Sequence, residues 1–244
     1  SRMKRIGFLL ATLFISYQPL FAQNDAAFKI VPQRSHPGDQ IEILYDASGT
    51  VLQGRKEVTA VVYTYENYKW MARDLKLSGN ANVWKAPFSV PAQAGLIAVK
   101  FKADTLVDNN QDQGYFTMLI DKTRQGVNAP GAYAGWGLAR SPKYGMDIPG
   151  YIKFKGISDS ATYHWLNQEI SFNQNAKSQL VYPYAWAAKN TFKADAPPRL
   201  QRVLAYLTRT DAMEADLLNA RKIYSNLLEN KASADSIASV INQK

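Results

Sequence analysis

Between residues 28 and 121, apolar side chains recur at every second position in short runs, the period of a half-buried strand. Residues 40–45 place Ile41, Ile43 and Tyr45 on one face. Residues 58–65 are β-branched and aromatic apart from Ala60, and 69–77 alternate around Met71, Arg73, Leu75 and Leu77. Residues 83–90 set Trp84, Ala86, Phe88 and Val90 at even spacing. Residues 96–103 turn Ile97, Val99, Phe101 and Ala103 inward and Lys100 and Lys102 outward. With 28–31 and 115–120, this predicts about seven strands. Turn chemistry separates them at Pro37-Gly38-Asp39, Ser48-Gly49, Gly79-Asn80, Ala94-Gly95 and Asp108-Asn109-Asn110. Strands of this number without intervening helices predict an antiparallel immunoglobulin- or fibronectin-like β-sandwich over residues 23–125.

From Ser158 the period lengthens to that of a helix. Ser158-Asp159-Ser160 is a cap-type start, followed at helical spacing by Tyr163, Leu166 and Ile170. Residues 176–189 also read as helical, with Pro183 expected to bend or break them. Pro197 and Pro198 stand at first-turn positions ahead of the stripe Leu200, Val203, Leu204 and Leu207. Asp211 opens a helix with Met213, Leu217, Ala220, Tyr224 and Leu227 on one face. A last helix near 235–243 carries Ile237, Val240 and Ile241. Residues 158–244 are therefore expected to form a helical domain, an array of hairpins similar in shape to tetratricopeptide repeats. The strict period of those repeats is missing. The fold class predicted is α+β in two parts. The last helix is followed by no polar closing unit, so an expected fragment, or a partner over the end of the array, accounts for Lys244 as the last residue.

Residues 126–157 join the two parts and are rich in glycine and proline, but they are not a free linker. Tyr133, Trp136, Tyr144 and Tyr151 are interleaved with the glycines. A flexible spacer would be polar, so these four aromatics are expected to pack the segment between its neighbours.

At the other end, Met3-Lys4-Arg5 precedes an apolar run from Ile6 to Ile15, and Pro19 and Leu20-Phe21-Ala22 follow. That layout predicts a secretory signal over residues 1–22. The run is far short of a bilayer span, and no cysteine follows it to carry a lipid. The expected location is the periplasm. Loss of Arg2, Lys4 and Arg5 would lower the net charge from +9 to +6. The remaining basic residues are scattered and no nucleic-acid reading motif accompanies them. The chain contains no cysteine, which excludes disulfides, thiolate chemistry and thiolate zinc sites from these residues.

The catalytic inventory is sparse. His36 lies in a turn and His164 beside Trp165, without a metal-ligand spacing. Gly135-Trp136-Gly137 lacks the third glycine and the strand–helix setting of a dinucleotide fingerprint. No nucleophile elbow is present. The expectation is a chain that is not an enzyme and uses no cofactor. Asp108, Asn110 and Asp112 fall at alternate positions, as calcium ligands do, although Leu119 stands where an EF-hand needs glutamate. Ordinary turn chemistry accounts for the same residues, and a calcium loop is the alternative. Tyr65, Tyr68, Trp70 and Trp84 could stack sugar rings. The reading preferred here is that they fill the core or the interface with the helices.

Several short stretches carry a family resemblance. They are Pro130-Gly131-Ala132-Tyr133-Ala134-Gly135-Trp136-Gly137, Arg140-Ser141-Pro142-Lys143-Tyr144-Gly145, Ile148-Pro149-Gly150-Tyr151, Asp108-Asn109-Asn110 with Gly114-Tyr115, and Leu218-Asn219-Ala220-Arg221-Lys222-Ile223-Tyr224. Together they resemble the N-terminal region of large exported TlpA-type thioredoxin-like thiol–disulfide oxidoreductases. The resemblance implies a sandwich and helical region that precede a C-x-x-C thioredoxin domain, absent from this chain. It implies an accessory or scaffolding role with a thioredoxin-like domain or a protein client as partner. A carbohydrate-binding module is the alternative. Neither nucleic acid nor a stable membrane span is expected.

Overall fold

The computed structural model describes residues 27–153 and 156–243. The signal reading of residues 1–22 lies outside them. Among the described residues the first half holds nine strands: β1 Phe28–Val31, β2 Gln40–Asp46, β3 Thr59–Glu66, β4 Lys69–Lys76, β5 Ser78–Asn80, β6 Val83–Ser89, β7 Ala94–Ala103, β8 Leu106–Asp108 and β9 Tyr115–Met118. They form two antiparallel sheets. One has the order β1-β2-β6-β5; the other has β4-β3-β7-β8, with β9 also paired to β7. The seven longer strands fall where the alternation places them. The short β5 and β8 have too few residues to show a period.

Alternation orients the strands about one core. In β2 and β6 every second side chain is buried, which sets Ile41 against Phe88, Ile43 against Ala86 and Tyr45 against Trp84. Their inner faces meet Ala60, Val62, Ile97, Val99 and Phe101 of the other sheet in one apolar cluster. The rings of Tyr45 and Phe101 stack across it at 3.7 Å. β4 departs from the expected pattern. Met71 is 47% exposed and Arg73 is half-buried, while Leu77 is buried just beyond the strand. The strand lies at the sheet edge, where one side of its backbone has no neighbouring strand.

Among the described residues the second half holds six α-helices: α1 Ala132–Ala139, α2 Asp159–Phe172, α3 Lys177–Phe192, α4 Ala196–Leu207, α5 Glu214–Lys222 and α6 Lys231–Asn242. The Ser158 hydroxyl caps α2 by accepting from the Ala161 N–H at 3.2 Å. Pro183 does not break α3, which continues for nine residues beyond it. A helix-interior proline costs about 3 kcal/mol. Here its ring is buried, and Leu180, Val181, Ala185 and Ala187 on the flanking turns are in the core. The α4 stripe Leu200, Val203, Leu204 and Leu207 is buried as expected. Met213 is not on the next stripe. It precedes α5 at 71% exposure, and Ile223 is buried instead where α5 widens into a π-helical turn over Ile223–Leu227.

The segment expected to be a linker contains α1. Three alanines and a leucine are strong helix formers, and they outweigh the two glycines that disguise the helix. The outward face of β3 and β7 (Tyr63, Tyr65, Leu96 and Ala98) packs in one cluster with Ala134 and Leu138 of α1, Leu166 of α2, and Leu180 and Ala187 of α3. This sheet is therefore covered on both faces, which explains six consecutive buried residues at the start of β7. A third cluster joins α3, α4, α5 and the π-helical turn. No helix among the described residues is long and apolar enough to cross a membrane.

Candidate functional site at the sheet–helix junction

Successive helical residues are rotated by about 100°, so Gly135 and Gly137 lie on nearly opposite sides of α1. An ideal Cβ on Gly135 would stand 3.0 Å from the Tyr65 ring, and one on Gly137 would stand 2.6 Å from the Trp165 Cβ. The helix is thus wedged between the sheet and α2 at both glycines. The sheet also touches its entrance, because a Cβ on Gly95 would lie 2.2 Å from the Pro130 carbonyl oxygen.

The start of α1 is closed by a buried carboxylate. Gly131 has φ 94° and its N–H donates to Glu169 Oε1. Asn173 Nδ2 donates to the second oxygen at 2.6 Å. Arg124 extends the network by donating to Asn173 Oδ1 at 2.8 Å, to Asp121 at 2.7 Å and to the Phe172 carbonyl at 2.7 Å. Glu169 is wholly buried. Burial pushes its carboxyl up to about 7, against the lowering effect of these donors. Burial, then the charge of Glu169, hold the Tyr65 and Tyr68 phenols above their usual range. The Tyr65 hydroxyl has no hydrogen-bond partner among the described residues.

The four interleaved aromatics pack the segment against the sheet and against α2 and α3. Tyr151 reaches into the sheet, donating to the Val99 carbonyl at 2.6 Å and accepting from the Tyr115 N–H at 3.0 Å. Asn109 Nδ2 donates to the Tyr151 carbonyl at 2.7 Å. Trp136 packs edge-on to Phe116, and the Arg140 guanidinium lies 3.7 Å from the Trp136 ring centre and 4.2 Å from that of Phe116. Tyr133 stacks on Trp165 and Phe172 of α2. Tyr144 meets Trp186 of α3 at 4.9 Å and donates to Asp159.

Other sequence candidates are placed differently from a ligand site. Tyr65 and Trp84 are buried, Trp84 in the core between the sheets and Tyr65 beneath α1. Tyr68 and Trp70 are half-buried on the helix side, where Trp70 Nε1 donates to the Met146 carbonyl at 3.0 Å. Asp108 faces the core, and its Oδ2 accepts from Tyr45 at 2.6 Å and Tyr115 at 2.9 Å. Asp112 instead accepts from Asn109 at 2.9 Å and from the Lys153 N–H at 3.3 Å, and Asn110 Nδ2 donates to the Gly114 carbonyl. Asp108 Oδ1 also accepts from the Asn110 N–H at 3.0 Å, so the three residues spend their polar atoms on protein partners. Among the described residues no three His, Asp or Glu side chains are grouped to hold a metal ion. His36 pairs with Asp39 in its turn at 3.0 Å, and His164 is exposed beside Trp165.

On the far side of the junction, the Pro142–Tyr144 turn and the end of α3 border a shallow, open cleft of 460 Å³ lined by Lys143, Asp159, Lys189, Asn190 and Lys193. Lys143 pairs with Asp159 at 2.6 Å. Comparisons with protein-family models, curated proteins and solved structures give no match.

Glu169 and the lysine cleft were not singled out from sequence. Glu169 follows Leu166 by three residues, so a carboxylate on the apolar face was legible. The lysines were not, since Lys143 meets Lys189 and Lys193 only through the packing of the turn on α3.

Proposed function

We propose that this chain is a non-catalytic, exported accessory module that positions a thioredoxin-like domain or presents a protein client to it. In this reading the two sheets are an immunoglobulin-like sandwich, and α2 to α6 are a hairpin array built onto its outer face. The observation that carries the proposal is the wedge of α1 between Tyr65 and Trp165. Glycines at both contacts, a buried capping carboxylate and the Tyr151 bonds make a junction suited to holding two parts in one orientation. A hinge would lack such interlocking. The likeness of residues 130–151 to TlpA-type proteins supports the same reading, and with it a periplasmic setting.

The carbohydrate-binding reading has less support, because Tyr65 and Trp84 lie in apolar clusters and Tyr68 and Trp70 lean on them. The test is a fusion of a C-x-x-C thioredoxin domain after Lys244, compared with that domain alone. The fusion should change kcat/KM for reduction of insulin and leave the rate with oxidised glutathione unaltered. Identical rates with insulin would remove the proposal, as would turnover by the unfused chain.

A further inference from the structure

We propose that the cleft between the Pro142–Tyr144 turn and the C-terminal end of α3 binds a dianionic phosphoryl group, presented by a small phosphomonoester or as free phosphate. The inference is independent of the accessory role.

Three lysines and one aspartate line the cleft. Their formal charges leave two positive charges uncompensated, which matches the charge of about −2 on a phosphomonoester near neutral pH. Asp159 does not cancel the site. It accepts from the Tyr144 hydroxyl and holds Lys143 at 2.6 Å, so one ammonium is fixed in place. No carboxylate among the described residues pairs with Lys189 or Lys193. Lysines are compact point charges suited to phosphate, and Asn190 adds an amide donor to the lining.

Two further observations mark the place. The depression of 460 Å³ is shallow and open to solvent, so the organic part of an ester would project outward and the phosphoryl group alone would meet the lysines. Lys193 also has φ 48° and ψ −111°, a conformation that costs a non-glycine residue on the order of 1–3 kcal/mol. It carries the Lys193 side chain off the end of α3 and into the lining.

The test is calorimetric titration of the full chain at low salt and pH 7.5 with glucose 6-phosphate, inorganic phosphate and glucose. Glucose 6-phosphate or inorganic phosphate should bind and glucose should not; the tighter of the two phosphates identifies the source. The Lys189→Gln/Lys193→Gln double variant, with an unchanged circular dichroism spectrum, should lose affinity by about tenfold or more. Lys76→Gln, on the edge strand β4, should bind as the parent does. Failure of both phosphates to bind would overturn the proposal. So would retained affinity in the double variant, or equal weakening by Lys76→Gln, which would reflect diffuse surface charge.

Discussion

Gly137 of α1 backs directly onto Trp165 of α2, with only 2.6 Å between the Trp165 Cβ and the position a Cβ on Gly137 would take. Helix propensity alone favours alanine over glycine by about 1 kcal/mol. Packing reverses the sign. Gly137→Ala should destabilise the protein by about 1–3 kcal/mol, read from urea unfolding. A stabilised variant would show that α1 can move away from α2.

The buried carboxylate beneath α1 makes a pH prediction. Glu169 titrates near 7 when folded and near 4.5 when not, so over that interval the folded chain holds a proton that the unfolded chain has lost. Stability therefore falls as pH rises from about 4.5 to 7, by roughly 3 kcal/mol, and levels off above. The Tyr65 and Tyr68 phenols facing it are held above their usual range and stay protonated across this window. Asp39 and Asp121, both held at about 2, act oppositely. Their contribution is present above 3.8 and is lost as pH falls through 2. Glu169→Gln should flatten the slope between 4.5 and 7 in denaturation measured at a series of pH values. An unchanged slope would place its origin elsewhere.

Tyr151→Phe removes the hydroxyl that serves both Val99 and Tyr115 and leaves two buried backbone groups in the sheet short of a partner. The expected cost is about 1–3 kcal/mol. Tyr133→Phe, on the half-buried flank of α1, should cost far less in the same thermal melts.

Asp108 serves two buried phenols, from Tyr45 and Tyr115. Asp108→Ala should cost roughly 2 kcal/mol or more. Because both its oxygens already accept from protein donors, Oδ2 from the two phenols and Oδ1 from the Asn110 N–H, added calcium should leave the melting temperature of the parent chain unchanged. A calcium-dependent rise that Asp108→Ala abolishes would restore the calcium loop.

Trp136→Ala should loosen the junction by removing the ring that packs on Phe116 and against the Arg140 guanidinium. New protease cleavage is expected between residues 126 and 156, and an unaltered digestion pattern would count against the role given to this ring.

Local pattern carried most of the strand reading. A period of two in β2 and β6 is a direct record of which side chains face the core, since one residue of slip would turn them all to the other face. The Ser158 cap and the α4 stripe were legible for the same reason. The α1 helix was not. Its glycines resemble a linker until Tyr65 and Trp165 are seen pressing on them, and those contacts join residues far apart in the chain. Pro183 misled in the same way, because its local cost is set against packing that no window of sequence contains.

The cysteine-free composition and the alternation of apolar residues are properties of the chain as a string, and they settled thiol chemistry and strand positions before any folding. The covered outer face of β3 and β7, the burial of Glu169 and the gathering of Lys143 with Lys189 and Lys193 exist only once the helices dock on the sheet. Burial and charge proximity depend on distances in space, and residues remote in sequence acquire those distances through tertiary packing alone.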